Sequence, residues 1–317
     1  MISDEKIFDL TWKFFPPTIK EIERHVPVEF VENCPNLIKG NNIDPELFNN
    51  ISNTFFFKQL KTWSYQNISE LTTSPGILLL KIPDNNLDND KLKSLYYIIS
   101  CGLGDLNNRY GELFEVKDRN LDYKKQAIPV SKTNASTGFH TDSTSFEYSP
   151  DIVGLLCLQP GKTGGESILA NAANLFLWMK KFHPVVTPVL LNDIIRDVIT
   201  PGSKVDIESI KKNRFPIFSS EDNVFKFRYM RYWIISGHES CKKLIPQELI
   251  IGLDHIDDFL KKKENLLHYN MVRGDILLIN NNFICHNRSK YEDYEDPAKK
   301  RTMVRVWINN KRFANKT

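Results

Sequence analysis

The sequence predicts a mainly β fold with α-helical additions, a jelly-roll barrel (double-stranded β-helix) in a single domain over residues 1–317. Three observations support this prediction. Short apolar stretches typical of strands lie both before and after a helical region in the middle of the chain. Strands that are far apart in sequence must therefore pair to close the core, as they do in jelly rolls. No internal repeat and no linker-like stretch divides the chain.

The composition is that of an ordinary globular protein. Of the 317 residues, 41% are hydrophobic and 26% are charged, so a sizeable core can form. The net charge of +3 is too small to favour nucleic acid or a membrane surface as the partner. We expect no signal peptide, because Met1-Ile2-Ser3-Asp4-Glu5-Lys6 has no apolar h-region. We expect no membrane span, because no apolar run approaches the roughly 20 residues that a span needs.

The five cysteines are scattered along the chain and form no Cys-x-x-Cys pair. This spacing argues against a zinc knuckle or a disulfide framework. Free thiols are typical of a reducing compartment, so we expect a cytoplasmic protein.

Residues 1–75 predict a helical addition outside the barrel. Asp44-Pro45 is typical of a helix start, with an N-cap followed by a proline in the first turn. Apolar residues then recur at roughly helical spacing, which predicts a helix that contains Leu47, Phe48, Ile51, Phe55 and Leu60.

The barrel strands are expected to begin after Pro75-Gly76. Residues 77–82 are apolar apart from Lys81, which predicts a strand that is buried on both faces. A helix is expected at 88–99 and a further strand at 113–116. Residues 152–158 carry no polar side chain and predict another buried strand.

A turn at 160–165 contains Gly164-Gly165, which predicts a hairpin that pairs 152–158 with 167–169. Helices are then predicted at 172–182 and 184–195. Residues 200–222 contain Pro, Gly, Ser and Lys and favour neither helix nor strand throughout, so we interpret them as a segment that passes over the site. We expect 172–222 as a whole to form a helical and loop insertion that acts as a lid.

The last third of the chain is rich in predicted strands. Residues 224–229 alternate as a strand, and 246–263 form an amphipathic helix. Strands are expected at 266–271, 275–279 and 302–308, with Gly274-Asp275 in the turn between the first two.

The chemistry is predicted to centre on His140-Thr141-Asp142. Positions i and i+2 of an extended segment face the same side, so this imidazole and this carboxylate point into one space. They would supply two ligands of a 2-His-1-carboxylate site, which holds Fe(II) and leaves positions open. The alternative is a turn histidine beside an aspartate that bonds its own backbone.

A third ligand should come from a distant strand, and His286 is the best candidate because it directly follows the predicted strand 275–279. The alternative is a core histidine that is satisfied by backbone groups. His268, on a predicted strand, is its main rival. The remaining histidines lie in helical or polar surroundings: His25, His183, His238 and His255.

A 2-oxo diacid that chelates such a metal needs a fixed cation for its far carboxylate, and arginine suits this role because its planar fork makes two parallel bonds. Arg301 and Arg305 lie four apart on the last predicted strand and therefore share one face. Either could be the anchor. The alternative is that they pair with acids such as Glu292 or Asp293.

The ordered set of motifs resembles the TauD/TfdA family of Fe(II)- and 2-oxoglutarate-dependent dioxygenases, and the resemblance runs over residues 76–308. The motifs that carry it are His140-Thr141-Asp142, Gly164-Gly165-Glu166-Ser167, Gly274-Asp275, His286 and Arg301-Thr302-Met303-Val304-Arg305-Val306-Trp307. The resemblance implies a clavaminate-synthase-like version of the jelly roll.

The resemblance also implies roles for particular residues. The iron ligands fall on His140, Asp142 and His286. The arginine that binds 2-oxoglutarate falls on Arg301, and the hydroxyl residue that also contacts 2-oxoglutarate falls on Ser167. Arg305 lies where relatives bind a substrate anion or share the co-substrate carboxylate.

The implied reaction is hydroxylation, or desaturation, at a C–H bond of a small polar substrate such as an amino acid or a natural-product intermediate. It consumes O2 and 2-oxoglutarate and releases succinate and CO2. The presence of Asp142 disfavours halogenation, because halogenating relatives have a small residue there. The alternatives are a jelly roll that binds metal and ligand without turnover, and a purely structural β domain.

Substrate contacts are predicted at four further residues. Arg228 and Arg231 flank the end of a predicted strand, where they would hold an anionic substrate or merely pair with acids. Thr144 and Phe146 follow the first two metal ligands and are expected to line the pocket.

Overall fold

The computed structural model describes residues 2–83, 86–109, 111–118, 133–143, 149–197 and 206–313. The α-helices are Asp4–Phe8, Ile19–Ile22, Val28–Asn33, Pro45–Ser52, Phe55–Gln66, Ser69–Thr72, Asn89–Leu103, Ala172–Phe182, Ile207–Lys212, Arg231–Ser240 and Gln247–Lys261. Short 3-10 helices lie at Thr187–Leu191, Lys263–Asn265, Pro297–Lys299 and Lys311–Phe313. None of the helices described is both long and apolar enough to cross a membrane.

A large mixed sheet dominates the described chain. Its strands in spatial order are Glu23–His25, Ile77–Lys81, Ile276–Asn280, Ile152–Gln159, Thr302–Asn309 and Asp105–Leu106, and Phe114–Lys117 also pairs with Thr302–Asn309. Glu23–His25 pairs in parallel with its neighbour, whereas the other pairings are antiparallel. Strands from both ends of the sequence are thus neighbours.

The prediction that 77–82 is buried on both faces is confirmed over Ile77–Lys81. Ile77 and Leu79 pack into one hydrophobic cluster, and Leu78 and Leu80 pack into another on the opposite face. The second cluster includes helix Asn89–Leu103, which Asp88 caps by accepting a hydrogen bond from the Lys91 backbone N–H. An apolar helix therefore covers the outer face of the large sheet.

A small sheet faces the inner side of the large one. It consists of Leu266–Tyr269, Ser167–Asn171 and Ile284–Arg288, all antiparallel. Side chains of both sheets line one cavity, for example Val153 and Leu277 from the large sheet and Leu169 from the small sheet. This space between the sheets contains the candidate site.

The predicted hairpin is wrong in its pairing. Ile152–Gln159 belongs to the large sheet and Ser167–Asn171 to the small one, so the turn with Gly164-Gly165 carries the chain from one sheet to the other. The same holds for Gly274-Asp275, which connects Leu266–Tyr269 to Ile276–Asn280 across the two sheets. A turn signal indicates that the chain changes direction, but not which partner the next strand finds.

The remaining short strand pairs are Ile38–Lys39 with Asn42–Ile43, Thr163–Gly164 with Tyr291–Glu292, Ile194–Ile195 with Arg214–Phe215, and Phe218–Glu221 with Val224–Phe227.

Residues 1–75 contain six described α-helices, but they also contribute strand Glu23–His25 to the large sheet, so this part does not lie wholly outside it. The periodic stretch predicted as one helix forms two. Asp44 caps Pro45–Ser52 by accepting from the Leu47 N–H, and Thr54 caps Phe55–Gln66. The threonine interrupts the helix because its hydroxyl accepts from the Phe57 N–H, one of the first backbone donors of the second helix.

The insertion differs in its second half from the prediction. Helix Ala172–Phe182 is confirmed, but the predicted helix at 184–195 is replaced by 3-10 helix Thr187–Leu191 and strand Ile194–Ile195. Helix Arg231–Ser240 was not predicted. Helix Gln247–Lys261 and strand Thr302–Asn309 lie where the sequence predicts them.

Candidate functional site

Two imidazoles meet between the sheets. His286 lies on strand Ile284–Arg288, and His140 lies on the segment 133–143, which runs beside that strand. The two ring centroids are 4.3 Å apart. The Nδ1 atom of His140 is 2.9 Å from the Gly138 carbonyl, so this nitrogen carries the proton and Nε2 presents its lone pair to the site.

Asp142 completes the group. Its Oδ1 is 3.6 Å from His140 Nε2 and 3.5 Å from His286 Nε2. One ligand atom from each of the three residues lies within 4.8 Å of the others. Two imidazoles and one carboxylate form the donor set typical of non-haem Fe(II) sites, so the residues present fit that ion.

The other oxygen of Asp142 is held by the last strand. Arg305 Nη1 donates to Oδ2 at 3.1 Å and Trp307 Nε1 donates at 2.5 Å. Burial by itself would raise the pKa of Asp142, which is 4% exposed, but the Arg305 charge and the two imidazoles hold it well below the usual value. The carboxylate is therefore ionised at neutral pH and can act as a ligand.

The backbone of Asp142 is fixed by a buried amide. Asn281 Oδ1 accepts from the Asp142 N–H at 2.7 Å, and Asn281 Nδ2 donates to the carbonyls of Asp142 and Pro150. Asn281 follows strand Ile276–Asn280, so the large sheet positions the segment that carries His140 and Asp142.

Arg301 points into the same cavity and is 3% exposed. Among the described residues, its Nε and Nη1 atoms have no hydrogen-bond partner, while its backbone N–H donates to Asp293. Burial lowers the pKa of Arg301, although the nearby Tyr291 and Asp293 side chains act in the opposite direction. A buried guanidinium with free donors is a receptor for an anion.

The turn with Gly164-Gly165 lies against this arginine. Gly165 has φ +75°, and a Cβ added there would lie 3.0 Å from Arg301 Nε. At Gly164, with φ +70°, a Cβ would lie 2.2 Å from the Lys290 carbonyl oxygen. Glycine is therefore required at both positions. Ser167, which follows the turn, lines the cavity.

Several residues of the site were not predicted from the sequence, among them Trp307, Asn281 and Arg288. Arg288 lines the cavity two positions after His286, and its Nη2 donates to the Thr133 carbonyl at 2.8 Å. Burial, with the charge of Arg301, lowers its pKa to about 10. Strand alternation from His286 to Arg288 and from Arg305 to Trp307 was the available signal.

The structure does not bring Arg228 and Arg231 into this cavity. Arg231 forms salt bridges of 2.6 Å with Asp257 and 2.7 Å with Asp254, which corresponds to the alternative of pairing with acids. The Arg228 guanidinium lies over the ring of Phe215 at 3.7 Å. Thr144 and Phe146 lie outside the described residues.

The rival ligand His268 is not part of the group. Its Nδ1 lies 2.8 Å from a carboxylate oxygen of Glu166. His183 and His255 stack on each other at 3.6 Å elsewhere. No described residue of the predicted lid, 172–222, lines the cavity, and 198–205 lie outside the described chain.

Comparison with known proteins identifies one family. The family model described as "Taurine catabolism dioxygenase TauD, TfdA family" matches residues 46–307. FR-33289 synthase of Streptomyces rubellomurinus is 28% identical over 252 residues, which cover 77% of this chain and 72% of that protein. Human gamma-butyrobetaine dioxygenase is 22% identical over 183 residues, 58% of this chain and 46% of that protein.

Solved structures share the fold. An asparagine oxygenase in complex with Fe(II), 2S,3S-3-hydroxyasparagine and succinate has a TM-score of 0.65 at 14% identity, over 91% of this chain and 93% of that chain. The non-heme iron oxygenase OrfP in complex with Fe and alpha-ketoglutaric acid has a TM-score of 0.64 at 11% identity, over 90% of this chain and 93% of that chain.

Proposed function

Because the chain belongs to the TauD/TfdA family, and is thus an Fe(II)- and 2-oxoglutarate-dependent dioxygenase, we propose that it hydroxylates a C–H bond of a small polar substrate. In the overall reaction one oxygen atom of O2 enters the product. The other enters succinate as 2-oxoglutarate loses CO2. The observation that carries the proposal is the convergence of His140, Asp142 and His286 beside the free donors of Arg301.

We assign the iron to His140 Nε2, His286 Nε2 and Asp142 Oδ1. The hydrogen bond from His140 Nδ1 to the Gly138 carbonyl supports this assignment, because it directs the other nitrogen to the metal. The separations of 3.5 and 3.6 Å between Asp142 Oδ1 and the imidazoles leave space for an ion between them. When bound, the iron supplies the redox chemistry with oxygen.

We assign the far carboxylate of 2-oxoglutarate to Arg301 and Ser167. Arg301 is favoured over Arg305 because its Nε and Nη1 atoms lack partners among the described residues, whereas Arg305 bonds Asp142. A carboxylate on Arg301 would satisfy these donors with charge-assisted bonds. Ser167 reaches the same cavity from the small sheet and would add a hydroxyl donor.

The walls between these groups are apolar. They limit the access of water to the reacting atoms and strengthen the charge interactions inside. The apolar lining comes from Val116, Val153, Leu155, Leu169, Leu277, Ile279 and Met303.

The substrate class rests on the relatives. One is named uridine-5'-phosphate dioxygenase, and OrfP has been solved in complex with (3S)-hydroxy-L-Arg. Together with the hydroxyasparagine complex, these names support a small polar substrate, such as an amino acid or a natural-product intermediate, for this chain. The retained carboxylate of Asp142 favours hydroxylation over halogenation.

Three further inferences belong to the same proposal. The two facing sheets support a jelly roll in a single domain. The three-stranded sheet opposite the large sheet, with the cavity between them, supports a clavaminate-synthase-like version of this barrel. The thiols of Cys34, Cys157 and Cys285 are buried and free, which supports a reducing compartment such as the cytoplasm.

The test is turnover. The protein is reconstituted anaerobically with Fe(II) and 2-oxoglutarate, oxygen is admitted, and amino acids, nucleotides and other small acids are screened for stimulated succinate release. We expect stimulation by at least one substrate and a product heavier by one oxygen atom. A protein that binds both cofactors yet never forms succinate would be the non-catalytic alternative.

A further inference from the structure

The two oxygens of the Asp142 carboxylate have different surroundings. Oδ1 faces the imidazoles of His140 and His286. Oδ2 faces the last strand of the large sheet, where Arg305 and Trp307 both donate to it. These two residues lie at i and i+2 of strand Thr302–Asn309, so they project from the same face of the sheet.

Both acceptor sites of Oδ2 are occupied by these bonds. A carboxylate oxygen offers about two lone-pair directions, and here one accepts from a guanidinium and the other from an indole. Asp142 is buried, so no bulk solvent competes for the same oxygen. Oδ1 is therefore the oxygen that is left to bind a metal.

Arg305 is itself held in place. Its guanidinium lies 5.0 Å from the ring centroid of Phe114 and 4.7 Å from that of Trp307. Cation–π contacts of this kind fix the orientation of the planar group. Trp307 thus acts twice, since its ring packs on Arg305 and its N–H binds the carboxylate.

We propose that Trp307 and Arg305 are positioning residues that keep Asp142 a ligand through one oxygen only. This inference rests on the proposed function, in which Asp142 is an iron ligand. If Oδ2 were free to rotate onto the metal, the carboxylate would occupy a second coordination position. The site of this family needs that position for 2-oxoglutarate or oxygen. The hydrogen bonds from Arg305 and Trp307 keep this coordination position open for 2-oxoglutarate or oxygen.

The variant Trp307→Phe tests this directly, because it removes the N–H and keeps an aromatic ring beside Arg305. Co(II) serves as a probe that binds like Fe(II) but does not react with oxygen. We expect 2-oxoglutarate to bind the Co(II)-loaded variant about 10- to 100-fold more weakly, because a carboxylate that binds through both oxygens would occupy a position that the co-substrate needs. We also expect the visible Co(II) absorption bands to differ from those of the wild type.

Trp63→Phe is the matched control. Trp63 packs near Phe30 in the N-terminal addition and does not line the cavity. Its variant should bind Co(II) and 2-oxoglutarate like the wild type. A wild-type Co(II) spectrum and wild-type 2-oxoglutarate affinity in Trp307→Phe would overturn the inference, even when Asp142→Ala has lost the metal and the proposed function stands.

A metal affinity that survives Asp142→Ala unchanged would overturn both the inference and the ligand assignment. Arg305→Met tests the second donor independently, and decides the matter if Trp307→Phe does not fold. It should also weaken 2-oxoglutarate binding to the Co(II)-loaded protein, and it should lower Tm because the buried Asp142 loses a charge partner. Unchanged binding in Arg305→Met would count against the two-donor arrangement.

Discussion

His140 and His286 are joined by two reciprocal backbone hydrogen bonds. The His140 N–H donates to the His286 carbonyl at 2.9 Å, and the His286 N–H donates to the His140 carbonyl at 2.8 Å. A pair of this kind brings the two side chains to the same face of the sheet. The backbone thus sets the position of both imidazoles before any metal binds.

Loss of either imidazole should remove the metal. We expect His140→Ala and His286→Ala each to weaken Fe(II) binding more than about 100-fold, because they remove a ligand rather than a partner of one. Anaerobic equilibrium dialysis with iron analysis measures this. His268→Ala is the matched control, since His268 bonds Glu166 outside the group, and it should retain stoichiometric iron.

Arg301→Gln should impair 2-oxoglutarate binding while iron binding persists. The variant keeps a polar side chain but loses the charge that faces the co-substrate, at a cost of about 2 kcal/mol or more. The Kd for 2-oxoglutarate should therefore rise at least about 30-fold. Arg273→Gln is the control, because Arg273 donates to the Leu87 carbonyl outside the cavity. Equal affinities in Arg301→Gln and the wild type would exclude Arg301 as the anchor.

Gly165→Ala should act on the co-substrate through Arg301. The new methyl group would lie 3.0 Å from Arg301 Nε and must displace it. Gly40 has a similar φ of +66° but open space around its Cβ position, so Gly40→Ala imposes the backbone strain alone. We expect both variants to lower Tm, and only Gly165→Ala to raise the KM for 2-oxoglutarate. An equal KM for 2-oxoglutarate in the two variants would show that the turn does not influence co-substrate binding.

The strands could be predicted from the sequence because their apolar runs report burial directly. Residues 77–82 and 152–158 are examples, and both lie in the centre of the large sheet. Sheet membership could not be predicted. The turn after Gln159 has the residues of a hairpin, yet Ser167–Asn171 pairs with Ile284–Arg288. Strand pairing depends on which strands, distant in sequence, have an unpaired edge in the folded chain, and the local sequence does not show this.

The candidate site could be predicted in part for a similar reason. The i and i+2 spacing of His140 and Asp142 is local and visible in the sequence. The spacing of Arg301 and Arg305 placed both on one face, but only the structure shows that Arg305 bonds Asp142. Trp307 lies two positions after Arg305 and shares its face of the strand, but an uncharged indole gives no sign in the sequence that it donates to a metal ligand rather than packs in the core.

Asn281→Ala should destabilise the protein although it removes no metal ligand. The Asn281 side chain is buried and bonds the backbone of Asp142 and the Pro150 carbonyl. Its removal leaves buried backbone groups without partners, so we expect a loss of about 3 kcal/mol in the free energy of unfolding. Urea unfolding of the metal-free protein measures it. Asn33→Ala, at an exposed position, should change stability by less than about 0.5 kcal/mol.

The central claim is that His140, Asp142 and His286 hold one iron next to a co-substrate anchored on Arg301. Anaerobic titration of the protein with Fe(II) in excess 2-oxoglutarate tests it most directly, because chelation by the keto acid gives the iron a visible charge-transfer band. We expect the band to saturate at one iron per chain, to vanish in Asp142→Ala, and to need far more 2-oxoglutarate in Arg301→Gln. A band of unchanged intensity and affinity in both variants would contradict the account.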